Sequence, residues 1–403
     1  MNHISGGITA APGFLAAGIH CGIRKNTEKL DLALVVAETE CAAAAVYTTN
    51  RVQAAPILVT QAHLQNGRAR AILCNSGNAN ACAPGGAENA RLSCETAAAA
   101  TGLNPEDFIV NSTGVIGVPL PIHAITSAIP ALSEALSPDG RTAAQAIMTT
   151  DTFPKESAVQ CKIGGKTVTL GGMAKGSGMI HPNMATMLAF LTTDCAITPE
   201  LLREALTASV RRSYNRISVD GDTSTNDMCA ILASGTAENT LIAEKNEDYE
   251  QFCRALDAVN LTLAKDIARD GEGATRLLIC RVKNARDEQA AERLAKSVIT
   301  SSLVKTALFG ADANWGRVLC ALGYAGAAFD PKAVDISFVS EAGKIPVCTQ
   351  GQGIPFDEDL ARKVLSEKEV VIEADLHDGV FSSEAFGCDL TYDYVKINGE
   401  YRT

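Results

Sequence analysis

The most constraining feature of the sequence is an abrupt change of pattern near its middle. Residues 173–185 read Met-Ala-Lys-Gly-Ser-Gly-Met-Ile-His-Pro-Asn-Met-Ala, with two glycines and a proline. This composition disfavours a regular helix and a central strand, so the segment is predicted to be an irregular loop. The next run, Thr-Met-Leu-Ala-Phe-Leu-Thr-Thr-Asp, predicts a buried strand that begins at Thr186. The chain is therefore expected to pass directly from a loop into its core.

Along the rest of the sequence, apolar β-rich runs alternate with amphipathic helical patterns, which predicts a mixed α/β fold. Two lobes are expected, because 403 residues exceed what one hydrophobic core usually organises. Strands are predicted at residues 31–38, 56–60, 71–74, 108–111, 276–282, 334–339 and 370–373. Helices are predicted at residues 88–100, 121–136, 199–211, 248–265 and 285–300. Gly164 and Gly165 lie between two alternating segments, which predicts a hairpin.

The charge of the chain excludes some classes of partner. Its formal net charge is -11 and its pI is near 5.1, whereas binding along a nucleic-acid backbone needs concentrated Lys and Arg. No apolar stretch approaches the roughly 20 residues that cross a bilayer. Residues 1–7 lack the basic start and apolar centre of a signal peptide. We therefore expect a cytoplasmic protein that binds neither nucleic acid nor membrane.

The cysteines and histidines do not form a recognisable ligand set. Thirteen cysteines are spread singly along the chain without a CxxC pair, and the six histidines are also dispersed. Such scattered cysteines in a large chain are typical of buried thiols rather than disulfides, and zinc-ligand spacing is missing. We therefore expect neither a metal ion nor another cofactor.

The junction between Ala185 and Thr186 suits an autocatalytic N-terminal nucleophile. Cleavage there would free an α-amine with a pKa of about 7.7 to 8.0. Near neutrality this amine can accept the proton of the threonine's own hydroxyl, so that one residue supplies both nucleophile and base. By propensity alone, however, the favoured interpretation of Thr186 is a β-branched residue of a strand.

A long motif surrounds the predicted cleavage point. Residues 175–188 read Lys-Gly-Ser-Gly-Met-Ile-His-Pro-Asn-Met-Ala-Thr-Met-Leu, and they resemble the processing and nucleophile motif of the ornithine acetyltransferase family, also called the glutamate N-acetyltransferase family. The resemblance extends over essentially the whole chain. Further matching segments are residues 111–117 (Asn-Ser-Thr-Gly-Val-Ile-Gly), 149–152 (Thr-Thr-Asp-Thr), 270–276, 310–317 and 389–398.

The resemblance implies a two-lobed α/β fold that cleaves itself into an α chain of residues 1–185 and a β chain of residues 186–403. The two chains would stay associated, and a heterotetramer of two α and two β chains is expected. By the same resemblance, Thr186 accepts an acetyl group from N2-acetylornithine as an ester and passes it to glutamate. Members of the family differ in whether acetyl-coenzyme A is also a donor, and the sequence leaves this open.

Individual site residues follow from the matching motifs. Thr113 and Gly114 resemble the oxyanion hole, where a hydroxyl and a backbone N–H can donate to a tetrahedral intermediate. The residues that resemble substrate contacts are Thr152, Lys175, Thr186, Glu272, Asn398 and Thr403. We infer that Lys175 pairs with a substrate carboxylate and that Glu272 meets the cationic side chain of ornithine.

Simpler interpretations of these residues exist. Ser112-Thr113-Gly114 also fits a turn that ends a strand. Lys175 beside glycines also fits a solvated side chain, and Glu272 also fits an ordinary loop residue. Within residues 149–152, the sequence does not decide which threonine hydroxyl faces the substrate.

Three other patterns are not interpreted as sites. Residues 176–178 lack the spacing of a phosphate-binding loop. Residues 220–227 imitate a calcium loop but lack its sixth-position glycine and twelfth-position Glu, so turn and cap chemistry is preferred, and whether they line the active site is open. His181 is interpreted as a loop residue because Pro182 follows it.

Two other functions are kept as alternatives to acetyl transfer. The first is an N-terminal-nucleophile aminopeptidase or amidase that uses water as the acceptor. The second is a non-catalytic scaffold.

Overall fold

The computed structural model describes residues 1–181 and 187–400. Within these ranges the strands are β1 (Asn2–Ile4), β2 (Phe14–Ile19), β3 (Leu32–Tyr47), β4 (Arg68–Asn78), β5 (Phe108–Val115), β6 (Lys155–Ile163), β7 (Lys166–Lys175), β8 (Leu188–Thr193), β9 (Met228–Ala233), β10 (Leu277–Ala285), β11 (Asp335–Ser340), β12 (Gly343–Thr349), β13 (Gln352–Gly353), β14 (Glu369–Asp375) and β15 (Phe381–Cys388). The α-helices are α1 (Ala55–His63), α2 (Gly86–Thr101), α3 (Ile122–Glu134), α4 (Arg141–Ala146), α5 (Pro199–Arg212), α6 (Glu247–Arg269), α7 (Glu288–Thr300), α8 (Ser302–Phe309), α9 (Trp315–Gly323), α10 (Glu358–Leu365) and α11 (Tyr392–Glu400).

The strands form two sheets. The first has nine strands in the order β1-β6-β7-β8-β9-β3-β4-β5, with β2 also paired to β3. The second has six strands in the order β13-β12-β11-β14-β10-β15. Both sheets mix pairings, because β8 is parallel to β9 but antiparallel to β7, and β10 is parallel to β14 but antiparallel to β15. The predicted mixed α/β fold is confirmed.

Strand β8 contributes to a hydrophobic core on each face of the first sheet. Ala189 and Leu191 belong to a core that also includes residues of α5 and α6. Leu188 and Phe190 belong to a core that includes residues of β2, β3 and α4. Because successive side chains of a strand point to opposite faces, a strand covered on both sides needs a continuous apolar run. A separate core joins the second sheet to α7, α9 and α10.

The first sheet continues across the predicted cleavage point. Strand β8 is hydrogen-bonded on one side to β7 and on the other to β9. The sheet therefore contains strands from before residue 182 and strands from after residue 186. Residues 1–181 and residues 187–400 thus both contribute strands to one sheet.

One predicted strand is wrong. Residues 56–60 lie in helix α1, not in a strand. Pro56 occupies the first turn of this helix, where its fixed φ is favourable and its missing N–H costs nothing. The buried residues Ile57 and Thr60 are three positions apart, on one face of the helix. Thr60 also donates its hydroxyl proton to the carbonyl oxygen of Val110 on β5 at 2.8 Å. Tertiary packing has here overridden the β-propensity of the run.

The predicted loop begins later than expected. Residues 173–175 continue strand β7, in which Met173 pairs with Phe190 and Lys175 pairs with Leu188. Pairing with β6 and β8 on both sides keeps these residues extended. The loop interpretation applies to residues 176–181, and the predicted cleavage residues Ala185 and Thr186 lie outside the described residues.

The described part of the chain contains neither a helix that could span a membrane nor a cluster of metal-binding side chains. None of the helices found there has the length and apolar character needed to cross a membrane. Among residues 1–181 and 187–400, His, Cys, Asp and Glu side chains do not come together in groups of three or more that could hold a metal ion.

Candidate active site

A small cavity of about 150 Å³ lies where the ends of β5, β7 and β8 meet the segment before β9. Its lining includes five predicted site residues, together with the last residue of the run 220–227, whose place in the site the sequence left open: Thr113, Gly114, Lys175, Glu272, Asn398 and Asp227. Met187 and Leu188 also line it. Thr186 and Thr403, the other predicted contacts, lie outside the described residues.

Gly114 occupies a position that only glycine fits. The segment Ser112-Thr113-Gly114 belongs to strand β5, so its interpretation as a strand-ending turn is wrong. Gly114 has φ +132°, and a Cβ atom there would lie 2.4 Å from the carbonyl carbon of Gly77 on β4. A side chain at this position would therefore collide with backbone that cannot move away cheaply.

Thr113 and Lys175 form the central contact of the cavity. The ammonium group of Lys175 donates a hydrogen bond to the hydroxyl oxygen of Thr113 at 3.1 Å. Because that oxygen accepts from Lys175, the hydroxyl proton is directed away from Lys175 and can be donated to a ligand. A hydroxyl that accepts a charge-assisted hydrogen bond is the better donor, since hydrogen bonds in a chain polarise one another.

Lys175 is buried, so its interpretation as a solvated side chain is wrong. Burial lowers the pKa of its ammonium group, whereas the nearby carboxyl groups of Asp151 and Asp227 act in the opposite direction. The net shift is downward. A cation held in a low-dielectric cavity interacts strongly with any negative charge that develops beside it.

Glu272 and Asn398 face each other at the same cavity. The side-chain amide of Asn398, on α11, donates to Oε2 of Glu272 at 2.7 Å. The backbone N–H of Glu272 donates to the carbonyl oxygen of Ser177 at 3.0 Å. A Cβ atom on Gly178 would lie 2.4 Å from the Glu272 carboxyl group, so a side chain at residue 178 would displace this carboxylate. The carboxylate is thereby held at a fixed place where it can bind a cation.

A buried ion cluster holds three segments of the cavity wall together. The ammonium group of Lys155 lies 2.7 Å from Oδ1 of Asp151 and 2.6 Å from Oδ2 of Asp270. Asp151 also accepts a hydrogen bond from the backbone N–H of Gly176 at 2.7 Å. Burial alone would raise the pKa of Asp151, but Lys155 and Lys175 hold it well below its ordinary value. The cluster thus links the segment after α4, the loop after β7 and the loop that carries Glu272.

The predicted contact Thr152 belongs to this cluster and is not among the residues that line the cavity. Its hydroxyl and its backbone N–H both donate to the carboxylate of Asp270. The neighbouring Thr149 and Thr150 do line the cavity. Of the three threonines that the sequence left undecided, these two are therefore the better placed to contact a ligand.

Replacing Lys155 by Met is expected to lower the free energy of unfolding by about 3 to 5 kcal/mol, because two buried carboxylates would lose their cation. Equilibrium unfolding in urea measures this change. The control is Lys245→Met, which removes a pair with Glu204 in which both side chains are more than half exposed. That pair should contribute less than about 1 kcal/mol. Equal unfolding midpoints for the two variants would contradict the assigned role of Lys155.

The segment of residues 224–227, whose place at the active site the sequence left open, lines the cavity just before β9. Asn226 donates from its side chain to the carbonyl oxygens of Ala79 at 2.6 Å and Ser112 at 2.8 Å. It therefore ties this segment to the backbone next to Thr113. Turn and cap chemistry is the preferred interpretation of this polar run by sequence, and the sequence identifies none of its residues individually as a contact.

His181 lies at the end of the described loop. Its Nδ1 atom is 3.0 Å from the hydroxyl of Ser218, and its carbonyl oxygen accepts from the hydroxyl of Thr223 at 2.8 Å. Burial, with a smaller effect of Lys296, lowers the pKa of His181 to about 4. Its imidazole is therefore neutral near pH 7.

Comparison with known proteins gives consistent matches over the whole chain. The model of the ArgJ family matches residues 15–403. The arginine biosynthesis bifunctional protein ArgJ of Symbiobacterium thermophilum is 54% identical over 406 residues, with 100% of each chain covered. The crystal structure of the arginine biosynthesis bifunctional protein of Bacillus halodurans is 45% identical, with a TM-score of 0.50, and its match covers 53% of this chain and 98% of that chain. An ornithine acetyltransferase of Mycobacterium tuberculosis, complexed with ornithine, is 41% identical with a TM-score of 0.43, covering 46% of this chain and 99% of that chain.

Proposed function

The chain belongs to the ArgJ family, and from this membership we propose that it transfers an acetyl group from N2-acetylornithine to glutamate through an ester on Thr186. It is a glutamate N-acetyltransferase of arginine biosynthesis, and its products are ornithine and N-acetylglutamate. The reaction proceeds in two half-reactions, in which the donor leaves before the acceptor reacts. We also propose that the enzyme works in the cytoplasm and needs no cofactor.

The observation that carries this proposal is the hydrogen bond from Lys175 to the hydroxyl of Thr113 beside Gly114. Attack on an acetyl carbonyl places negative charge on its oxygen. The hydroxyl of Thr113 and the backbone N–H of Gly114 are the donors for that oxygen, and Lys175 strengthens the first of them. Met187, the residue that follows Thr186 in the sequence, lines the same cavity.

The charges of the cavity suit an amino-acid substrate. Glu272, fixed by Asn398, binds the cationic side chain of ornithine. Lys175 attracts the negative charge of the reacting group in addition to supporting Thr113. Thr149 and Thr150 also line the cavity with their hydroxyl-bearing side chains. Thr152 and Thr403 stay proposed substrate contacts by their resemblance to the family's motif.

The two-lobed, self-cleaved arrangement is part of the proposal. The curated relative from Symbiobacterium thermophilum is matched over its whole length, whereas the crystallised chain from Bacillus halodurans is matched almost completely by 53% of this chain. A family member that consists of chains of about half length supports cleavage near the middle. Strand β8 lies between β7 and β9, so hydrogen bonds on both sides would keep the α and β chains together. We propose an assembly of two α and two β chains.

An acetyl-transfer assay tests the activity and separates its alternatives. Purified enzyme is expected to form N-acetylglutamate from N2-acetylornithine and glutamate, and to release ornithine in equal amount. The same assay with acetyl-coenzyme A as the only donor measures whether the enzyme is bifunctional. Release of acetate at the same rate with and without glutamate would contradict transfer and would favour an amidase.

A further inference from the structure

Asp227 contributes a buried carboxyl group to the cavity. The two half-reactions described above assign no role to this group. It lies immediately before the first residue of β9 and is only 2% exposed. Within residues 1–181 and 187–400 and their contacts, its Oδ2 atom has no hydrogen-bond partner. A buried carboxyl oxygen without a partner is costly, so its position at a ligand cavity suggests that a ligand group binds there.

The surroundings of Asp227 favour the protonated form of its carboxyl group. Burial raises the pKa of its carboxyl group well above the ordinary value, and this outweighs the opposite effects of the Ser224 hydroxyl, the Lys175 ammonium and the Thr48 hydroxyl. Of the described cavity-lining residues, Lys175 and Glu272 are the other charged ones. The carboxyl group can therefore keep a proton at a pH where an exposed Asp has lost it.

Transfer between two amines requires such a proton. In the first half-reaction the hydroxyl of Thr186 attacks the acetyl carbon and its proton passes to the α-amine of Thr186. The C–N bond then breaks only if the departing nitrogen takes one proton, because it leaves as a neutral amine and not as an amide anion. The hydroxyl proton, passed on by the α-amine, afterwards converts that amine to an ammonium ion. In the second half-reaction the acceptor arrives as an ammonium ion and must lose one proton before its nitrogen can attack the ester.

Resting on the proposed function, we propose that Asp227 is a catalytic residue that gives this proton to the departing amine and takes it back from the incoming one. The carboxylic acid becomes a carboxylate in the first half-reaction, and that carboxylate then binds the acceptor's α-ammonium group. When the nitrogen of the acceptor attacks, the bond between the acetyl carbon and the Thr186 oxygen breaks. The remaining N–H proton returns to Thr186, so both groups end as they began.

The test compares two acetyl donors in the variant Asp227→Asn. With N2-acetylornithine, acetylation of the enzyme is expected to slow by roughly 10²-fold, because the amine loses its acid catalyst. With an activated aryl acetate the rate should stay near that of the wild type, since a phenolate leaves without a proton. The matched control Asp222→Asn changes an exposed carboxyl group of the same segment and should leave both rates unchanged.

The pH dependence supplies a second measurement. Because the acid form of Asp227 is the active one, acetylation of the wild type by N2-acetylornithine should fall as the pH rises through the raised pKa of Asp227. This decline should be missing in Asp227→Asn and should not occur with the aryl acetate. The loss of rate at low pH, where the α-amine of Thr186 is protonated, should be common to both donors.

Each outcome decides one question. A variant slowed equally with both donors would show that Asp227 only supports the structure, and a variant with wild-type rates and pH profile would show that it has no role. Either result overturns the inference while leaving the proposed function intact. Wild-type enzyme that transfers no acetyl group to glutamate would instead overturn the proposed function itself.

Discussion

Replacing Thr186 by Ala is expected to leave the 403-residue chain uncut and to reduce acetyl transfer by on the order of 10⁶-fold. The substitution removes the hydroxyl that attacks the preceding peptide bond and the same hydroxyl that carries the acetyl group. Denaturing electrophoresis measures cleavage, and the transfer assay measures activity. Wild-type enzyme should show two fragments of about half the mass each, the second beginning Thr-Met-Leu-Ala-Phe-Leu, which elute together under native conditions.

The variant Thr186→Ser is the matched control, because it keeps a hydroxyl and loses only a methyl group. It should be cut and should retain part of the transfer activity. If Thr186→Ala were cut at the same place, or transferred acetyl at a rate near that of wild type, the nucleophile would have to be another residue.

Replacing Thr113 by Ala is expected to slow acetyl transfer by roughly 10²- to 10³-fold, because one oxyanion donor is lost. Unlike Asp227→Asn, this variant should be slow with both N2-acetylornithine and an aryl acetate, since each passes through a tetrahedral intermediate. The single-turnover rate of enzyme acetylation with each donor measures the effect.

Thr113→Ser, which keeps the hydroxyl bonded to Lys175, serves as the control and should lose much less. Circular dichroism and the unfolding midpoint should be close to wild type in both variants. Turnover near that of wild type in Thr113→Ala would remove Thr113 from the site.

Much of the fold could be predicted where local chemistry and tertiary packing agree. The hairpin at Gly164 and Gly165 was expected from two glycines, and both have the positive φ that such a turn requires. Helix α5 begins where Pro199 predicted it, after Thr198, whose side chain accepts a hydrogen bond from the N–H of Leu201. The strand prediction for residues 56–60 was wrong, because their β-branched composition does not indicate how these residues pack against the sheet.

The candidate site was predictable only in part, for a similar physical reason. Thr113, Lys175, Glu272 and Asn398 were found through a motif resemblance, and the structure brings them to one cavity. Asp227 lies in the polar run of residues 220–227, and that run does not show which of its carboxyl groups is buried, because the burial of Asp227 depends on strands that are distant in the sequence. A hydrogen bond such as Lys175 to Thr113 joins residues 62 positions apart, and no local pattern predicts it.

The architecture explains how a chain could be cut without falling apart. The proposed cleavage point precedes β8, which is central in the nine-stranded sheet and packs against a core on each face. Hydrogen bonds to β7 and β9 do not depend on the peptide bond before Thr186. Self-cleavage would thus expose a new amine while the surrounding sheet stays assembled.

The central claim, that Thr186 carries the acetyl group, is tested most directly by trapping the acetylated enzyme. Wild-type protein is incubated with N2-acetylornithine in the absence of glutamate, quenched in acid and digested for mass spectrometry. The account predicts a peptide that begins at Thr186 and carries one acetyl group on its hydroxyl, which disappears when glutamate is added before the quench. Fully active enzyme that yields only a peptide running unbroken through Ala185 and Thr186 would contradict it.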